Sequence, residues 1–218
     1  MKKAVVVGGS GGLGTEIISR LIKEGVKVVN VSRSESALKV ENIKTDLTKN
    51  DEINDAIDII TKKYQDMDLL ILCPGILHNH PDNKFPVNEI DEDFAINITG
   101  EMKITHSLLS LIKKNKGDIV IVGSTSSFVS YGNNSVYVAA KHAVLGFIKS
   151  LQVECKKEDV RVMGFHPGGF QSNFHIKAKS SLKQEDLMNP KYLADLILTI
   201  LKLPRNMQVS EIIIDRKK

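Results

Sequence analysis

Tyr137 and Lys141 lie four residues apart in the segment Tyr-Val-Ala-Ala-Lys, and Ser124 precedes the tyrosine by thirteen residues. Because an α-helix completes a turn every ~3.6 residues, side chains at 137 and 141 project from one helix face. A phenol with a pKa of about 10 exchanges protons poorly at neutral pH, and a neighbouring ammonium group lowers that pKa. The pair is therefore a candidate general acid and base. Tyr131 is a weaker candidate because position 135 is a serine.

A second group of chemistry-bearing residues follows the first apolar run, 4–7. Five of the next seven residues are glycines, and a helical apolar stripe begins directly after them. Glycines allow the backbone to turn tightly, and the free N–H groups at the start of the helix bind phosphate oxygens. We therefore predict that the turn binds a pyrophosphate through Gly8, Ser10, Gly11, Gly12, Leu13 and Gly14.

The composition is typical of a globular α/β protein. The 218 residues are 42% hydrophobic and 26% charged, and 30 basic against 26 acidic side chains leave a net charge of +4. This excess is small and dispersed, so we expect no nucleic-acid partner. Apolar runs stay well below the ~20 residues of a membrane span, so we expect no membrane partner. Two isolated cysteines, Cys73 and Cys155, indicate reduced thiols and a cytoplasmic location.

Short apolar runs alternate with helical patterns along the whole chain. The runs are rich in Val, Ile and Leu, as expected for a parallel sheet that helices cover on both faces. With right-handed crossovers, this alternation predicts one domain over residues 1–218, built on a doubly wound parallel sheet of about seven strands. The predicted strands are 4–7, 27–31, 43–47, 68–72, 118–122, 161–165 and 211–215.

Helices are predicted between these strands by their apolar periodicity. Only about ten residues separate the second and third strands, so the helix between them is expected to be very short or absent. Ser124 follows a strand end, which is the edge where open α/β sheets bind ligands. The predicted helices are 13–24, 51–63, 92–114, 135–156 and 189–201.

The order and spacing of these motifs resemble the short-chain dehydrogenase/reductase family over the whole chain. The turn Gly8-x-x-x-Gly12-x-Gly14 and the pair Tyr137-x-x-x-Lys141 match two motifs of that family. The resemblance implies a Rossmann fold and hydride transfer between a nicotinamide cofactor and a carbonyl or alcohol carbon. It also implies a catalytic tetrad, which in this chain would be Asn97, Ser124, Tyr137 and Lys141.

The resemblance assigns a role to each member of the tetrad. Tyr137 would exchange a proton with the substrate oxygen, and Ser124 would hydrogen-bond that oxygen. Lys141 would lower the pKa of Tyr137 and bind the nicotinamide ribose. Asn97 would hold a water molecule that connects Lys141 with solvent.

In this family, the residues after the second strand select between NADP(H) and NAD(H). An acid there accepts hydrogen bonds from a ribose 2′-hydroxyl and repels a 2′-phosphate, whereas this chain has Ser32 and Arg33, with Glu35 as the first carboxylate. A guanidinium group binds phosphate through two parallel hydrogen bonds, so we predict NADP(H). The alternative is that Arg33 is an ordinary surface arginine. Asp46 and Leu47 match the family's Asp-hydrophobic pair, which contacts adenine.

Two segments at the expected nicotinamide end depart from the family's pattern. Asn-Asn-Ala-Gly is replaced by Leu-Cys-Pro-Gly at 72–75, so the hydrogen bonds of the lost asparagines must be replaced or absent. In the family's Pro-Gly-x-x-x-Thr segment, here 167–172, serine stands where threonine is usual, and its hydroxyl can still bond the carboxamide. From these segments we predict cofactor contacts at Cys73, Pro74, Gly75, Pro167, Gly168 and Ser172, beside Tyr137 and Lys141.

The expected substrate loop covers about residues 168–190. It is short and carries little apolar bulk, which favours a small or medium carbonyl compound, with an anionic group possible near Lys177 and Lys179. His78 and His175 belong to the two loops expected to border the substrate. The histidines lack the spacing of metal ligands, so no metal is expected.

Family members usually pair their fourth and fifth helices across a two-fold axis, which predicts a homodimer or homotetramer. Six apolar side chains of these helices exceed what one sheet face should need: Met102, Leu108, Leu109, Leu145, Phe147 and Ile148. Two other functions are weaker alternatives. A catalytically idle NADP(H) sensor would tend to lose the tyrosine or the lysine, and an epimerase or dehydratase would need a longer C-terminal substrate region.

Overall fold

The computed structural model of the chain describes residues 1–80, 84–180 and 182–217. Its strands are β1 (Lys3–Val7), β2 (Lys27–Ser32), β3 (Glu41–Lys44), β4 (Leu69–Leu72), β5 (Asp118–Val122), β6 (Arg161–Pro167) and β7 (Glu211–Ile214). All pair in parallel, in the order β3-β2-β1-β4-β5-β6-β7. The predicted doubly wound parallel sheet, a Rossmann fold, is confirmed.

Helices cover both faces of this sheet. They are α1 (Gly12–Lys23), α2 (Asn50–Lys63), α3 (Val87–Phe94), α4 (Gly100–Lys114), α5 (Ser135–Cys155), α6 (Asn173–Lys177) and α7 (Pro190–Leu201). Short turns of other helical types add a π-helical turn (Ala95–Thr99) and two 3-10 turns (Thr125–Ser127 and Gln184–Asp186). α1 and α7 pack together on one face, while α2, α4 and α5 cover the other.

The apolar runs form strands because both of their faces are buried. In β4 all four residues are fully buried, and successive side chains point to opposite layers. Leu70 and Leu72 belong to the core under α2, α4 and α5, whereas Leu69 and Ile71 belong to the core under α1 and α7. This double burial explains why the run reads as continuous rather than alternating.

The third strand differs from its predicted position. It ends at Lys44 rather than reaching Leu47, because Asp46 begins a turn: the backbone N–H and the hydroxyl of Thr48 donate to Asp46 Oδ1 at 3.0 and 2.8 Å. An aspartate that accepts a hydrogen bond two residues ahead stabilises a turn over a strand. Residues 33–40 are all described and contain no helix, so the expected gap between β2 and β3 is confirmed.

The helix predicted at 92–114 begins earlier and is interrupted. It starts at Val87, directly after Pro86, and its path widens at the π-helical turn Ala95–Thr99 before α4. Val87, Ile90 and Phe94 stand at helical spacing, so a periodic signal was present and the predicted start at 92 overlooked it. At the other end of the chain, Asn189 caps α7 by accepting from Lys191 N at 3.0 Å, and Pro190 occupies the first helical position.

Of the six apolar side chains assigned to an interface, three are buried in this chain's own core and a fourth, Leu109, packs against that core. Leu108 and Ile148 are fully buried and Phe147 is 8% exposed, so that part of the surface argument was wrong. These side chains pack on the face of the sheet that α4 and α5 cover, and that face holds more apolar side chains of the helices than the sequence pattern suggested. Met102 is 36% exposed. In the described part of the chain, no helix is long and apolar enough to cross a membrane.

Candidate active site

A cleft of about 1460 Å³ opens at the carboxyl ends of the strands, between the ends of β1 and β4. The strand order reverses at this point, and open α/β sheets bind ligands at such a reversal. Typical small-molecule pockets measure about 300–1,000 Å³, so this cleft has room for a dinucleotide and a substrate. Its walls are the glycine turn, the segments after β2, β4, β5 and β6, and the loop from Phe170 to Leu182.

The glycine turn forms one wall of the cleft and leaves no room for side chains. Gly8 has φ +80°, and a Cβ there would lie 2.7 Å from Pro74 N and 2.8 Å from the Cys73 carbonyl carbon. A Cβ at Gly14 would lie 2.4 Å from the Gly8 oxygen. The backbone of the turn therefore packs directly on the segment after β4 and on α1. Only glycine allows that close approach.

The start of α1 has the features of an anion site. Gly11 is its N-cap residue and has no side chain to bind the first amide groups, and the first turn carries no acid. These N–H groups and the helix dipole favour a phosphate. A Cβ at Gly12 would lie 2.8 Å from Ser172 Cβ, so the turn also contacts the segment after β6. The residues present thus fit the pyrophosphate of a dinucleotide cofactor.

Ser32 and Arg33 follow β2 as predicted, but they differ in availability. The Ser32 hydroxyl donates to Asn30 Oδ1 at 2.8 Å and accepts from Ser10 N at 3.4 Å, so it braces the glycine turn. The Arg33 side chain is 53% exposed, lines the cleft, and lies 3.8 Å from Glu92 Oε1. Glu92, which the sequence reasoning missed, comes from α3, far along the chain. Arg33 is therefore the group free to meet a ligand.

Asp46 and Leu47, the two residues predicted to contact adenine, have different environments in the structure. Leu47 lines the cleft together with Thr45. Asp46 lies between them but its carboxylate accepts from Thr48, as described above. The adenine contacts of both residues stay predictions.

Cys73 replaces the lost asparagine network with a thiol. Its Sγ donates to the Val7 carbonyl at 3.1 Å, and its backbone N–H donates to the same oxygen at 2.9 Å, so β4 is tied to the end of β1. Burial and the nearby Glu101 raise the pKa of the Cys73 thiol to about 12. Cys73 is therefore a structural thiol. Pro74 and Gly75 line the cleft beside it.

The structure brings Ser124, Tyr137 and Lys141 together. Ser124 lies just after β5 and caps the 3-10 turn, with its Oγ accepting from Ser126 N at 3.1 Å, and its hydroxyl lies near Tyr137. Lys141 Nζ lies 5.9 Å from the centre of the Tyr137 ring and donates to Val122 O at 3.4 Å. The lysine belongs to the buried stripe of α5 and is 3% exposed.

The expected lowering of the Tyr137 pKa is absent from this structure. Burial raises that pKa to about 12; the nearby Ser124 hydroxyl opposes the rise, and Asp93 and Glu101 add to it. Burial also lowers the pKa of Lys141, against the influence of Glu101. Desolvation disfavours the charged form of both groups, and here it outweighs the attraction between ammonium and phenolate.

Asn97 lies in the π-helical turn and is fully buried. Its Oδ1 accepts from Ile76 N at 3.1 Å, while its Nδ2 donates to Ile76 O at 3.0 Å and to Asp93 Oδ1 at 3.0 Å. Asn97 thus fastens the loop after β4 to the helix. π-helical turns are frequent at functional sites. Its role in holding a water molecule stays a prediction.

Two acids that sequence reasoning missed flank Asn97 at four-residue spacing. Asp93 and Glu101 are both fully buried. Asp93 Oδ2 lies 2.9 Å from His78 Nδ1, so the acid connects Asn97 with a histidine that lines the cleft. Four-residue spacing along one helix face was available as a signal. However, isolated carboxylates are almost always exposed, so burial was not expected.

The segment after β6 closes on itself and reaches Tyr137. Gln171 N donates to Met188 O at 2.9 Å and Met188 N donates to Gly169 O at 3.1 Å, which joins the two ends of the loop. The Phe174 ring packs 5.8 Å from the Tyr137 ring. Ser172 caps α6 by accepting from Phe174 N at 3.3 Å. The remaining predicted contacts of this segment, Pro167 and Gly168, line the cleft with His175.

Among the described residues, no group of three His, Cys, Asp or Glu side chains is arranged to hold a metal ion. Two of the histidines have environments of their own. His166 is fully buried, and burial lowers its pKa to about 4. His80 pairs with Glu89 Oε2.

Known proteins share this sequence and fold. The family model for short chain dehydrogenases matches residues 2–183. An uncharacterised oxidoreductase of Staphylococcus aureus (strain USA300) is 27% identical over 222 residues, covering 97% of this chain and 95% of the relative.

Two solved structures superpose over nearly the whole chain. An alcohol dehydrogenase from Thermococcus sibiricus, complexed with 5-hydroxy-NADP, has TM-score 0.87 and 22% identity, covering 98% of this chain and 95% of that one. A 3-ketoacyl-(acyl-carrier-protein) reductase from Brucella melitensis, complexed with NADH, has TM-score 0.84 and 22% identity, covering 98% and 96%. With the family match, the cleft and the strand order, these findings show that the chain belongs to the short chain dehydrogenase family of oxidoreductases, which use nicotinamide cofactors.

Proposed function

We propose that the protein is an NADP(H)-dependent oxidoreductase that acts on a small or medium carbonyl or alcohol compound. The observation that carries this proposal is the meeting of Ser124, Tyr137 and Lys141 in one cleft with the glycine turn. A proton donor, a hydrogen-bond donor for the substrate oxygen and an anion site for the cofactor are the parts that such a reaction needs.

The bound cofactor supplies or accepts the hydride, and the protein handles the proton. In the reducing direction, the Tyr137 hydroxyl gives its proton to the substrate oxygen, and the Ser124 hydroxyl donates a hydrogen bond to that oxygen. Both side chains line the cleft, so both hydroxyl groups can meet the same substrate oxygen. The Phe174 ring packs against Tyr137 and helps to exclude water from it.

Lys141 supports the proton transfer from inside the core. Its ammonium group faces Tyr137 from the next helical turn and is held by the Val122 carbonyl at 3.4 Å. After Tyr137 gives up its proton, the positive charge stabilises the phenolate, and a low-dielectric site strengthens that attraction. Lys141 also has the position to bind a ribose hydroxyl. Asn97 fastens the loop after β4, where the substrate would enter.

Arg33 supports the preference for NADP(H). It is a half-exposed guanidinium group on the cleft wall, at the end of the strand next to the glycine turn. Its pairing with Glu92 at 3.8 Å is too long to hold it tightly. A 2′-phosphate would replace that weak contact with charge-assisted hydrogen bonds.

The substrate end of the cleft favours a small or medium compound with a polar group. The proposed substrate loop, about 168–190, adds Phe174 and Leu182 as apolar lining and Lys177 and Lys179 as cations. His78 lines the opposite side and is held by Asp93. An anionic or hydroxylated carbonyl compound matches this lining.

The same proposal includes a cytoplasmic location and a homodimer or homotetramer through α4 and α5. Outward-facing apolar side chains support it: Val153 is 76% exposed and Met102 is 36% exposed, on α5 and α4. Isolated exposed apolar residues are common. The support comes from the fact that each of the two helices expected at the interface carries one. Light scattering at micromolar concentration tests it, and a monomeric mass would rule it out.

An NADPH oxidation screen over aldehydes, ketones and quinones tests the function. We expect turnover with at least one class, and loss of that turnover in Tyr137→Phe. The second candidate is an idle NADP(H)-binding sensor, which is favoured by one observation: the raised pKa of Tyr137 in this structure. NADPH binding without turnover in the whole screen would support the sensor and refute the enzyme.

A further inference from the structure

Glu101 is a buried acid that the proposed mechanism does not use. It is 0% exposed, and neither carboxyl oxygen has a hydrogen-bond partner within the described part of the chain. A buried polar group without a partner costs free energy, and an unpaired buried charge costs far more. Such a group is uncommon in a native structure and calls for a physical reason.

The surroundings of Glu101 contain a second buried charge. Lys141 is 3% exposed, interacts electrostatically with Glu101, and makes a long bond of 3.4 Å to the Val122 carbonyl. Each group therefore lacks the hydrogen bonds that usually accompany a buried charge, and each has the opposite charge nearby. The two are attached to different helices, α4 and α5, so the fold alone brings them together.

Several further titratable groups pack around this pair. Glu101 also acts electrostatically on Cys73 at the end of β4 and on Tyr137 in α5. Lys141 in turn interacts with Asp93 of α3 and with His166 of β6. The acid thus belongs to one electrostatic cluster with two proposed catalytic residues, Tyr137 and Lys141, and with three further groups: Cys73, Asp93 and His166.

We propose that Glu101 is a positioning residue, the internal charge partner of Lys141, and that holding or releasing its proton sets the net charge beside Tyr137. With the proton held, the Lys141 ammonium faces Tyr137 uncompensated and favours the phenolate. With the proton released to solvent, the carboxylate cancels that ammonium charge and Tyr137 keeps its proton more firmly. The consequence for turnover rests on the proposed function, whereas the charge coupling does not.

The pH range of the change follows from the environment of Glu101. Burial raises its pKa to about 8, although Lys141 acts in the opposite direction. Below that value the acid is neutral, and above it the acid is a carboxylate. The proposed reductase would therefore retain a protonated Tyr137 to higher pH than it would without Glu101.

Cys73 provides a reporter that needs no cofactor and no substrate. The variant Cys155→Ser leaves Cys73 as the sole thiol, and iodoacetamide reacts with its thiolate. Since Glu101 raises the Cys73 pKa, Glu101→Gln should lower it. We expect the ratio of alkylation rates, Glu101→Gln over the parent, to be about 1 at pH 6 and to rise to roughly threefold to tenfold above pH 9.

Glu154→Gln is the matched control, because it removes an exposed carboxylate from α5. Its rate ratio should stay near 1 at every pH. A Glu101→Gln ratio that is the same at pH 6 and pH 9 would overturn the proposal. Alkylation does not depend on turnover, so failure of the proposed enzyme function would leave this result readable.

A second measurement uses the unsubstituted protein and so does not depend on how the variant folds. In a carbon-13 NMR titration of labelled glutamates, we expect one carboxyl group to titrate near pH 8, well above the others. That signal should disappear in Glu101→Gln. If every glutamate titrated near its ordinary value of about 4.3, Glu101 would be a carboxylate at neutral pH and the proposal would be wrong.

Discussion

Asp118 and Glu101 are buried acids at opposite ends of the parallel strands, here called the amino edge and the carboxyl edge of the sheet, and their charges are compensated in opposite ways. At the amino edge, Asp118 begins β5 and accepts two hydrogen bonds from Arg161, at 2.8 and 2.7 Å, with a further ion pair to Arg205. Asp68, beside it, accepts from the backbone N–H groups of Lys2 and Lys3. At the carboxyl edge, Glu101 is equally buried and its oxygens have no such partners in the described chain.

The difference separates stability from chemistry. A bidentate pair with arginine leaves the carboxylate fully compensated, so its charge is fixed and its side chain is immobile. An acid compensated only by a nearby lysine stays able to change its protonation. Strained or under-satisfied groups are retained in folded proteins mainly where function uses them. Asp118 therefore helps to hold neighbouring strands together, whereas Glu101 stays an adjustable charge beside the cleft.

The largest expected effect comes from breaking the ion pair between Asp118 and Arg161 at the amino edge. Arg161→Ala removes both hydrogen bonds to Asp118, whose side chain is 7% exposed, and leaves Arg205 as a partial substitute. Removal of one partner from a buried pair costs about 3–5 kcal/mol, so we expect a loss of roughly 3 kcal/mol in the free energy of unfolding. Urea denaturation followed by circular dichroism measures it.

Asp58→Asn is the control for Arg161→Ala. It breaks the pair between Lys62 and Asp58, whose side chains are 75% and 67% exposed. Exposed pairs of this kind contribute under about 0.5 kcal/mol, so the unfolding curve should barely move. A loss in Arg161→Ala as small as that of Asp58→Asn would show that the amino edge is no more strongly compensated than the surface.

At the carboxyl edge, the largest effect is expected on turnover rather than on stability. Tyr137→Phe removes the proposed proton donor and keeps the ring that packs on Phe174. We expect kcat to fall by a factor on the order of 10² or more, while the Kd for NADPH changes little. Lys141→Ala should reduce kcat as much and weaken NADPH as well, because its ammonium group has two roles.

Tyr131 is the natural control because it also lines the cleft and is 47% exposed. Tyr131→Phe should retain nearly full activity. If Tyr137→Phe kept the activity of the parent on a good substrate, another group would supply the proton and the tetrad assignment would fail.

The third expected effect is a pH dependence of stability that arises from Glu101. The folded-state pKa of Glu101 is raised to about 8, against about 4.3 when unfolded. Between these values the folded protein binds more protons, so this group lowers stability as pH rises from about 4.5 to 8. Each unit of pKa difference corresponds to about 1.4 kcal/mol. Relative to the parent, we expect the free energy of unfolding of Glu101→Gln to rise by roughly 1–3 kcal/mol between pH 5 and pH 8. Denaturation at both pH values measures it.

Asp118→Asn should show the opposite sign at pH 8, since it removes a compensated charge and leaves Arg161 unpaired. If Glu101→Gln also lost stability at pH 8 relative to the parent, the two edges would not differ. The folded-state ionisation of Glu101 would then be favourable, and the contrast between the edges would be wrong.

Sequence reasoning predicted the strands and the motif residues better than the buried charges. The strands follow from continuous apolar runs, and Ser124, Tyr137 and Lys141 from residue types at fixed spacing. The end of β3 was missed because the side chain of Asp46, rather than the apolar pattern, decides where the strand stops. Local chemistry of this kind overrides periodicity.

Glu101 and Glu92 were missed for a different reason. Carboxylates in a helix are expected on the surface, and this expectation outweighed the four-residue spacing that puts Glu101 on the same helix face as Asn97. Glu92 meets Arg33 only because α3 folds back near the end of β2. Both contacts join residues distant in the chain, and their charges determine the electrostatics of the cleft. The motifs therefore predict where the site lies, whereas the charges around it depend on residues that only the tertiary fold brings close.

The smallest expected effect concerns that weak pair at the cleft. Arg161 is bidentate and 12% exposed, whereas Arg33 is 53% exposed and 3.8 Å from its acid, so Arg33 can exchange Glu92 for a phosphate. Arg33→Ala should raise the Kd for NADPH by roughly fivefold, or about 1 kcal/mol, and leave the Kd for NADH unchanged, by fluorescence titration.

Glu92→Gln is the counterpart of Arg33→Ala, since it removes the competing carboxylate and keeps the shape of the side chain. It should tighten NADPH by less than about threefold, because an exposed pair at this distance contributes under about 1 kcal/mol. The two variants therefore shift the NADPH titration in opposite directions, and NADH serves as the internal reference in both. Equal Kd values for NADPH and NADH in the unsubstituted protein would remove Arg33 from the cofactor site. The guanidinium group would then be a surface arginine paired with Glu92.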